Sequence, residues 1–249
     1  MEYYEGKVAV VTGGARGIGA TIAKKLAGYG MHVAFSYVQS ASAAEEVVEA
    51  IQQLGRKARA YRADQGDPES VSAFIRSAAD DFGHINVLVN SAGVFTTGTV
   101  DSGAIDQQAS DRQIDVNYRG AVATVKAASS HIVDGGRIIA IGTSAAYKPL
   151  ISPGLGEYVA TKAALAAFAK GAALDLAGRG ITVNIVEPGP IDTDMNPDGT
   201  DSASAMKARV PLGRYGTADE VSELVAYLAG PHASFITGSQ IIIDGGLTA

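Results

Sequence analysis

Short runs of β-branched and aliphatic residues alternate along this chain with longer stretches whose apolar positions recur every three or four residues. The short runs predict strands over residues 7–12, 32–37, 57–62, 86–90, 136–141, 182–187 and 240–244. Several of them, VAVV and RIIAI among them, are apolar at nearly every position. That pattern suits strands buried on both faces of a parallel sheet. The periodic stretches predict helices over 18–29, 42–54, 68–82, 111–132, 158–177 and 218–228. Alternating β and α units imply an α/β fold, a doubly wound parallel sheet with right-handed crossovers. No linker or internal repeat interrupts the 249 residues, so residues 1–249 are expected to form one domain. Residues 192–216 break the pattern: they are polar, rich in turn formers and too long for an ordinary connection, which predicts a lid over a site.

Composition narrows the chemistry. Hydrophobic residues make up 47% and charged residues 18%, the balance of a globular chain. The net charge is -6, the pI is about 5.2, and Lys and Arg do not cluster, so no nucleic-acid partner is expected. There is no cysteine, and the four histidines (His32, His84, His131, His232) lack metal-ligand spacing, so neither thiolate chemistry nor a metal is expected. No signal-like start and no membrane-length apolar run is present, which predicts a cytoplasmic protein without a membrane partner.

The first predicted strand runs into VTGGARGIGATIAKKLA, a glycine turn followed at once by a helix. Gly13, Gly17 and Gly19 let the backbone turn tightly and approach a pyrophosphate seated on the positive end of that helix. The end of the second strand, VAFSYVQS, carries no acid to accept from a ribose 2′-hydroxyl. Arg16 in the loop, with Ser36, Tyr37 and Ser40, offers donors suited to a 2′-phosphate, which favours NADPH/NADP over NAD. Farther along, Tyr158 and Lys162 are four residues apart in EYVATKAALAAFAK, on one face of a helix otherwise small and apolar. A free tyrosine has a pKa of about 10. A neighbouring ammonium favours the phenolate, so Lys162 is expected to lower that value and make Tyr158 a general acid and base.

Together these segments resemble the short-chain dehydrogenase/reductases over essentially the whole chain. TGGARGIG (12–19) is similar to their cofactor loop, AD (63–64) to their adenine-contacting acid and NSAG (90–93) to their N-N-A-G turn. VNYRG (116–120), IGTS (141–144), YVATK (158–162), EPGPIDT (187–193) and the C-terminal ITGSQIIIDGG follow in family order, and SYVQS resembles the segment of NADP-type members. The resemblance implies a Rossmann-type fold with a catalytic set of Asn117, Ser144, Tyr158 and Lys162. Ser144 would position the substrate oxygen, Lys162 would reach the nicotinamide ribose, and Asn117 would hold a water on a proton path. The implied cofactor contacts are Gly13, Arg16, Gly17, Ile18, Gly19, Ser36, Tyr37, Ser40, Asp64, Asn90, Ala92, Gly93, Pro188, Gly189, Ile191 and Thr193, with Tyr158 and Lys162.

Some residues depart from the pattern. Ser91 replaces the turn's second Asn, and Ser144 precedes Tyr158 by a slightly wide gap that leaves Thr143 as an alternative hydroxyl. Glu157 and Glu187 are unusual for their positions and suggest a part in substrate preference. The expected activity is NADPH-dependent reduction of a ketone or a 3-oxoacyl thioester to a secondary alcohol, and the reverse. A non-catalytic NADP-binding sensor or scaffold, and a lyase or epimerase on the same fold, are the alternatives. Helix 158–177 and residues 121–128 are apolar nearly all round, which predicts burial against a second copy in a homodimer or homotetramer.

Overall fold

The computed structural model describes residues 2–101, 106–147 and 153–249. Seven parallel strands form its centre: β1 (Val8–Thr12), β2 (His32–Tyr37), β3 (Ala58–Arg62), β4 (Ile85–Asn90), β5 (Ile132–Ile141), β6 (Thr182–Pro188) and β9 (Gln240–Ile243). Their order across the sheet is β3-β2-β1-β4-β5-β6-β9, so the winding reverses between β1 and β4. At such a reversal the carboxyl ends of two strands part, and a crevice opens between their following loops. β7 (Ile191–Asp192) and β8 (Gly216–Thr217) form a separate two-residue parallel pair.

Each face of the sheet carries helices. Helices α1 (Gly17–Gly28), α2 (Ala41–Gln53) and α8 (Ala218–Ala229) pack over Val11, Val33, Phe35, Val89 and Val186. Helices α3 (Pro68–Phe82), α5 (Ala121–Ala128) and α6 (Gly156–Leu176) cover Val10, Leu88, Ile138, Val183 and Ile185. Adjacent strand residues thus point into different cores, which is why these strands read as unbroken apolar runs. Local signals set the helix ends: Asp67 accepts from Glu69 N before Pro68 starts α3, and Gly83 ends it at φ +83°. Among the described residues no helix is long and apolar enough to cross a membrane.

Two expectations are corrected. The helix predicted over 111–132 is three pieces: α4 (Gln107–Ile114), a π-helical stretch Asp115–Gly120, and α5. It ends early because β5 begins at Ile132. The wider winding sits where Gly120 approaches the backbone of Gln65, so closely that a Cβ would lie 1.7 Å from the Gln65 carbonyl oxygen. Apolar periodicity does not reveal one extra residue in a turn, and π-bulges of this kind cluster at functional sites. In addition, segment 192–216 is not irregular throughout. It holds α7 (Asp201–Lys207), capped by the Thr200 side chain accepting from Ala203 N, and the β7–β8 pair closes its base.

Candidate active site

The crevice at the reversal is a cleft of about 840 Å³. One end is built from backbone. Gly13 has φ +67°, and a Cβ there would lie 2.9 Å from Ala92 Cα; one on Gly19 would lie 2.3 Å from the Gly13 carbonyl oxygen. The loop is therefore wound as tightly as main chain permits. Gly13 N donates to Ser36 Oγ and Gly14 N to the Ser36 carbonyl, which ties the loop to β2. Arg16 occupies the N-cap of α1 in extended conformation, and no side chain caps that helix. The first N–H groups of α1 thus present their partial positive charge at the cleft wall.

Around this end the cleft is lined by Gly13, Arg16, Gly17, Ile18, Gly19, Ser36, Tyr37 and Ser40, the residues expected there. Ala92, Gly93, Pro188, Gly189, Ile191 and Thr193 line it farther in. Two expected contacts lie elsewhere. Asn90 is buried behind the wall, where its Nδ2 donates to the Ala121 carbonyl while Oδ1 accepts from Thr12 Oγ1 and Gln65 Nε2. Thr12 Oγ1 in turn accepts from Ser91 N and Ala92 N, so Asn90 and Thr12 fasten the 90–93 turn to β1. Asp64 is not among the lining residues; its carboxylate accepts from Arg112 and Gly66 N. Burial acts to raise its pKa, but the Arg112 guanidinium and the Gly66 amide prevail and hold it below the usual carboxylate range. Arg112 and Gln65 do line the cleft, and neither was expected. They become wall residues only because α4 and the β3 loop fold against the π-helical stretch.

Tyr158 and Lys162 enter from the first two turns of α6, and Ser144 and Thr143 from the end of β5. Lys162 is 5% exposed, and its Nζ donates to the Ile141 carbonyl at 2.9 Å. The space beside Gly93 is bounded by Lys162 Nζ and Asn117 Oδ1, so those two groups are near neighbours. Asn117 lies in the π-helical stretch. Its Nδ2 donates to the Val94 carbonyl and Thr161 Oγ1, and its Oδ1 accepts from Val94 N. Both amide hydrogens are therefore used, and only Oδ1 retains a spare lone pair.

Electrostatics differ from the simple pair logic. Burial pushes the Tyr158 phenol up to about 12, opposed by a hydrogen bond with Thr143. Burial pulls the Lys162 ammonium down to about 8. Burial thus dominates at Tyr158, and the hydrogen bond that opposes it comes from Thr143. Lys162 Nζ makes its hydrogen bond to the Ile141 carbonyl. Of the two candidate hydroxyls, Thr143 is occupied, accepting from Ala145 N and bonding Tyr158. Ser144 Oγ is buried with no hydrogen-bond partner. An unsatisfied buried hydroxyl costs about 1–3 kcal/mol, so its place on the wall suits a group that binds an incoming oxygen.

The other end of the cleft is built from side chains. Phe95 stands edge-on to Tyr158, with ring centroids 4.8 Å apart and an interplanar angle of 83°. Leu155, Pro153, Met195, Met206 and Tyr215 complete that wall. Glu157 and Glu187 are not on it. Glu157 Oε2 accepts from Ser110 Oγ, joining α6 to α4. Glu187 is buried beneath the wall with Oε2 unpartnered, and burial raises its pKa, opposed by Lys170. Their direct role in substrate preference is thus not supported by placement.

A family model described as Enoyl-(Acyl carrier protein) reductase matches residues 13–248. A short-chain dehydrogenase from Burkholderia cenocepacia, solved in complex with NADP, is 44% identical, with a TM-score of 0.96 over 99% of this chain and 100% of that one. A 3-oxoacyl-[acyl-carrier-protein] reductase of Staphylococcus aureus is 37% identical over 97% of this chain and 98% of its own. A cyclic-di-GMP-binding biofilm dispersal mediator protein of Escherichia coli is 35% identical over the full length of both chains.

Proposed function

This chain belongs to the short-chain dehydrogenase/reductase family, and from that premise we propose that it is an NADPH-dependent carbonyl reductase that also oxidises the corresponding alcohol. The observation that carries the reading is one cleft holding both a glycine-wound, uncapped helix N-terminus and, farther in, Tyr158 and Lys162 beside the unpartnered Ser144 hydroxyl. The residues present fit the dinucleotide. Main-chain N–H groups of α1 would hold the pyrophosphate, and Arg16, Ser36, Tyr37 and Ser40, which line the cleft with no acid among them, would hold the 2′-phosphate. The family's binding of NADP by a solved relative supports the same choice. Ala92, Gly93, Pro188, Gly189, Ile191 and Thr193 would flank the nicotinamide half.

Bound NADPH supplies the hydride. Ser144 Oγ–H donates to the substrate carbonyl oxygen and satisfies its own missing partner. Tyr158 gives that oxygen its phenolic proton as negative charge develops, and takes it back when an alcohol is oxidised. A phenol held near 12 remains protonated at neutral pH, the form reduction requires. Lys162 fixes the geometry by its bond to the Ile141 carbonyl and holds a transferable proton beside Asn117 Oδ1. Asn117 positions the 94 loop against α6 and offers one lone pair to a proton path.

Segment 192–216, carrying α7, is proposed as the lid, since Met195, Asn196, Ser202, Met206 and Tyr215 all face the cleft from it. A homo-oligomer is proposed on the outer stripe of α6, where exposed Ala160, Ala163, Ala167, Gly171 and Leu174 share a face. Light scattering that finds only monomer at micromolar concentration would refute it. The enzymatic reading is tested by following NADPH absorbance with a panel of ketones, and NADH in parallel. Ketone-dependent oxidation with NADPH the better donor is expected. Tight NADPH binding with no turnover of any carbonyl would favour a non-catalytic sensor instead.

A further inference from the structure

Resting on the carbonyl-reductase reading, we infer that Gln113, which lies behind the cleft wall, is a positioning residue for the substrate. It sets the loop that carries Phe95 and so places that ring beside Tyr158. The loop needs such a hold. Residues 91–99 form neither helix nor strand, and Phe95 is 45% exposed, so burial alone does not fix its ring. Among the described residues, the main chain from Val94 to Thr97 is bonded only by two side chains. Val94 N donates to Asn117 Oδ1 at 2.8 Å, and the Val94 carbonyl accepts from Asn117 Nδ2 at 2.9 Å. Thr96 N donates to Gln113 Oε1 at 2.7 Å. The held residues alternate, and the one between them is Phe95, which lines the cleft with Val94 and Thr97 while Thr96 does not.

Both members of the aromatic pair are fastened to one stripe. Ser110, Gln113 and Asn117 recur at three and four residues, from α4 into the π-helical stretch, and all three are buried. Ser110 Oγ donates to Glu157 Oε2, and Asn117 Nδ2 donates to Thr161 Oγ1, which itself donates to the Tyr158 carbonyl. These bonds hold the first turns of α6 on either side of Tyr158, and Gln113, between them in sequence, holds the loop. The edge-to-face contact of Phe95 on Tyr158 is where the two held elements meet. Stability does not explain the residue. Gln113 is 0% exposed and its Nε2 has no hydrogen-bond partner among the described residues, so half of the amide is desolvated with no compensating bond. An apolar chain of similar length would remove that penalty at the loss of one bond to Thr96. What the amide supplies, and an aliphatic chain lacks, is an acceptor at a fixed place against the loop.

The test uses the full chain, an aryl alkyl ketone and saturating NADPH. Gln113→Met keeps the length of the side chain and removes the acceptor. It should raise KM by about fivefold, the factor one net hydrogen bond is worth, and leave kcat and NADPH affinity within about twofold. Gln113→Glu retains an acceptor oxygen and should keep the wild-type KM. In a Phe95→Ala background Gln113→Met should add nothing, because residues that act through one contact are not additive. Amide exchange at Thr96, followed by NMR without ketone, should quicken in Gln113→Met. An unchanged KM, a KM effect that multiplies with that of Phe95→Ala, or NADPH affinity falling in step with KM overturns this inference, and wild-type turnover leaves the carbonyl-reductase reading standing. Loss of the fold in Gln113→Met would make the residue structural and overturns it equally. No ketone turnover by folded wild-type protein that binds NADPH overturns that reading and this inference with it.

Discussion

The two ends of the cleft are made in different ways. At the dinucleotide end, recognition lies in main chain: glycines wound against Ala92 and the Gly13 carbonyl, and an uncapped helix start. At the substrate end it lies in side chains, with Phe95 leaning on Tyr158 and two methionines on the lid. Backbone recognition tolerates few sequences, because one added methyl group collides with main chain that cannot yield. Side-chain walls tolerate many, because a methionine or aromatic can be exchanged without moving the backbone. One scaffold can thereby keep its cofactor and change its substrate. The catalytic residues stand at the seam between the two.

Substitutions can separate the halves. The largest effect is expected at the seam: Tyr158→Phe removes the proton donor and should lower kcat by about 1,000-fold, within the range for general acid catalysis. NADPH affinity should stay within a factor of two, measured by fluorescence titration. Retained turnover would exclude Tyr158 as the acid. Next comes Gly19→Ala, whose Cβ falls 2.3 Å from the Gly13 carbonyl oxygen. Opening the loop to admit it should weaken NADPH binding about 100-fold, equivalent to roughly 2.7 kcal/mol. Unchanged binding with the fold intact by circular dichroism would mean the loop is not the cradle. On the other side, Phe95→Ala should raise KM for an aryl ketone about tenfold, through lost area and an edge-to-face pair worth about 0.5–1.5 kcal/mol. NADPH affinity should not move; if it does, the two halves are not independent.

The buried charges give the smallest and most diagnostic effects, read as stability. Lys162 has its pKa near 8 in the fold against 10.5 in the open chain, so its burial cost is fully present below pH 8 and is relieved as pH rises toward 10.5. Removing the charge recovers on the order of 3 kcal/mol, and orphaning the Ile141 carbonyl returns about 1 kcal/mol. Lys162→Met should therefore unfold at higher urea than the parent at pH 7, with most of the gain gone by pH 10.5, while turnover is lost. No gain at pH 7 would mean that the ammonium is better solvated than its burial indicates. Glu187 has the opposite sign. Its folded pKa lies above the ordinary 4.5, so the cost is present above the folded value and disappears as pH falls below 4.5. Glu187→Gln should add a smaller stability at neutral pH and none in acid.

Much of this site was readable in the chain itself. The glycine loop, the missing acid after β2, and the four-residue spacing of Tyr158 and Lys162 are local patterns, and each group lies on the cleft as that spacing implied. The engagement of Asp64 was not legible because its partner, Arg112, is 48 positions away, and only folding shows that the carboxylate is held. Glu157 was drawn off in the same manner by Ser110. The π-helical turn that carries Asn117 was invisible because it answers a backbone approach between Gly120 and Gln65. Helix α7 was missed because it is seven residues long with Ala203 as its one buried side chain, too little for a periodic apolar stripe.

By itself the sequence determined the alternating architecture, the order of the strands' partners in chemistry and the residue types that bind a dinucleotide and move a proton. These follow from periodicity, from glycine's freedom at φ +67° and from side chains repeating along one helix face. Tertiary structure alone decided which charges are free and which are spent. Lys162 donates a hydrogen bond to the Ile141 carbonyl and Asp64 is taken by Arg112, while Ser144 is left waiting for a partner. Hydrogen bonding and desolvation depend on what lies within a few ångströms in space, and distance in sequence carries almost none of that information.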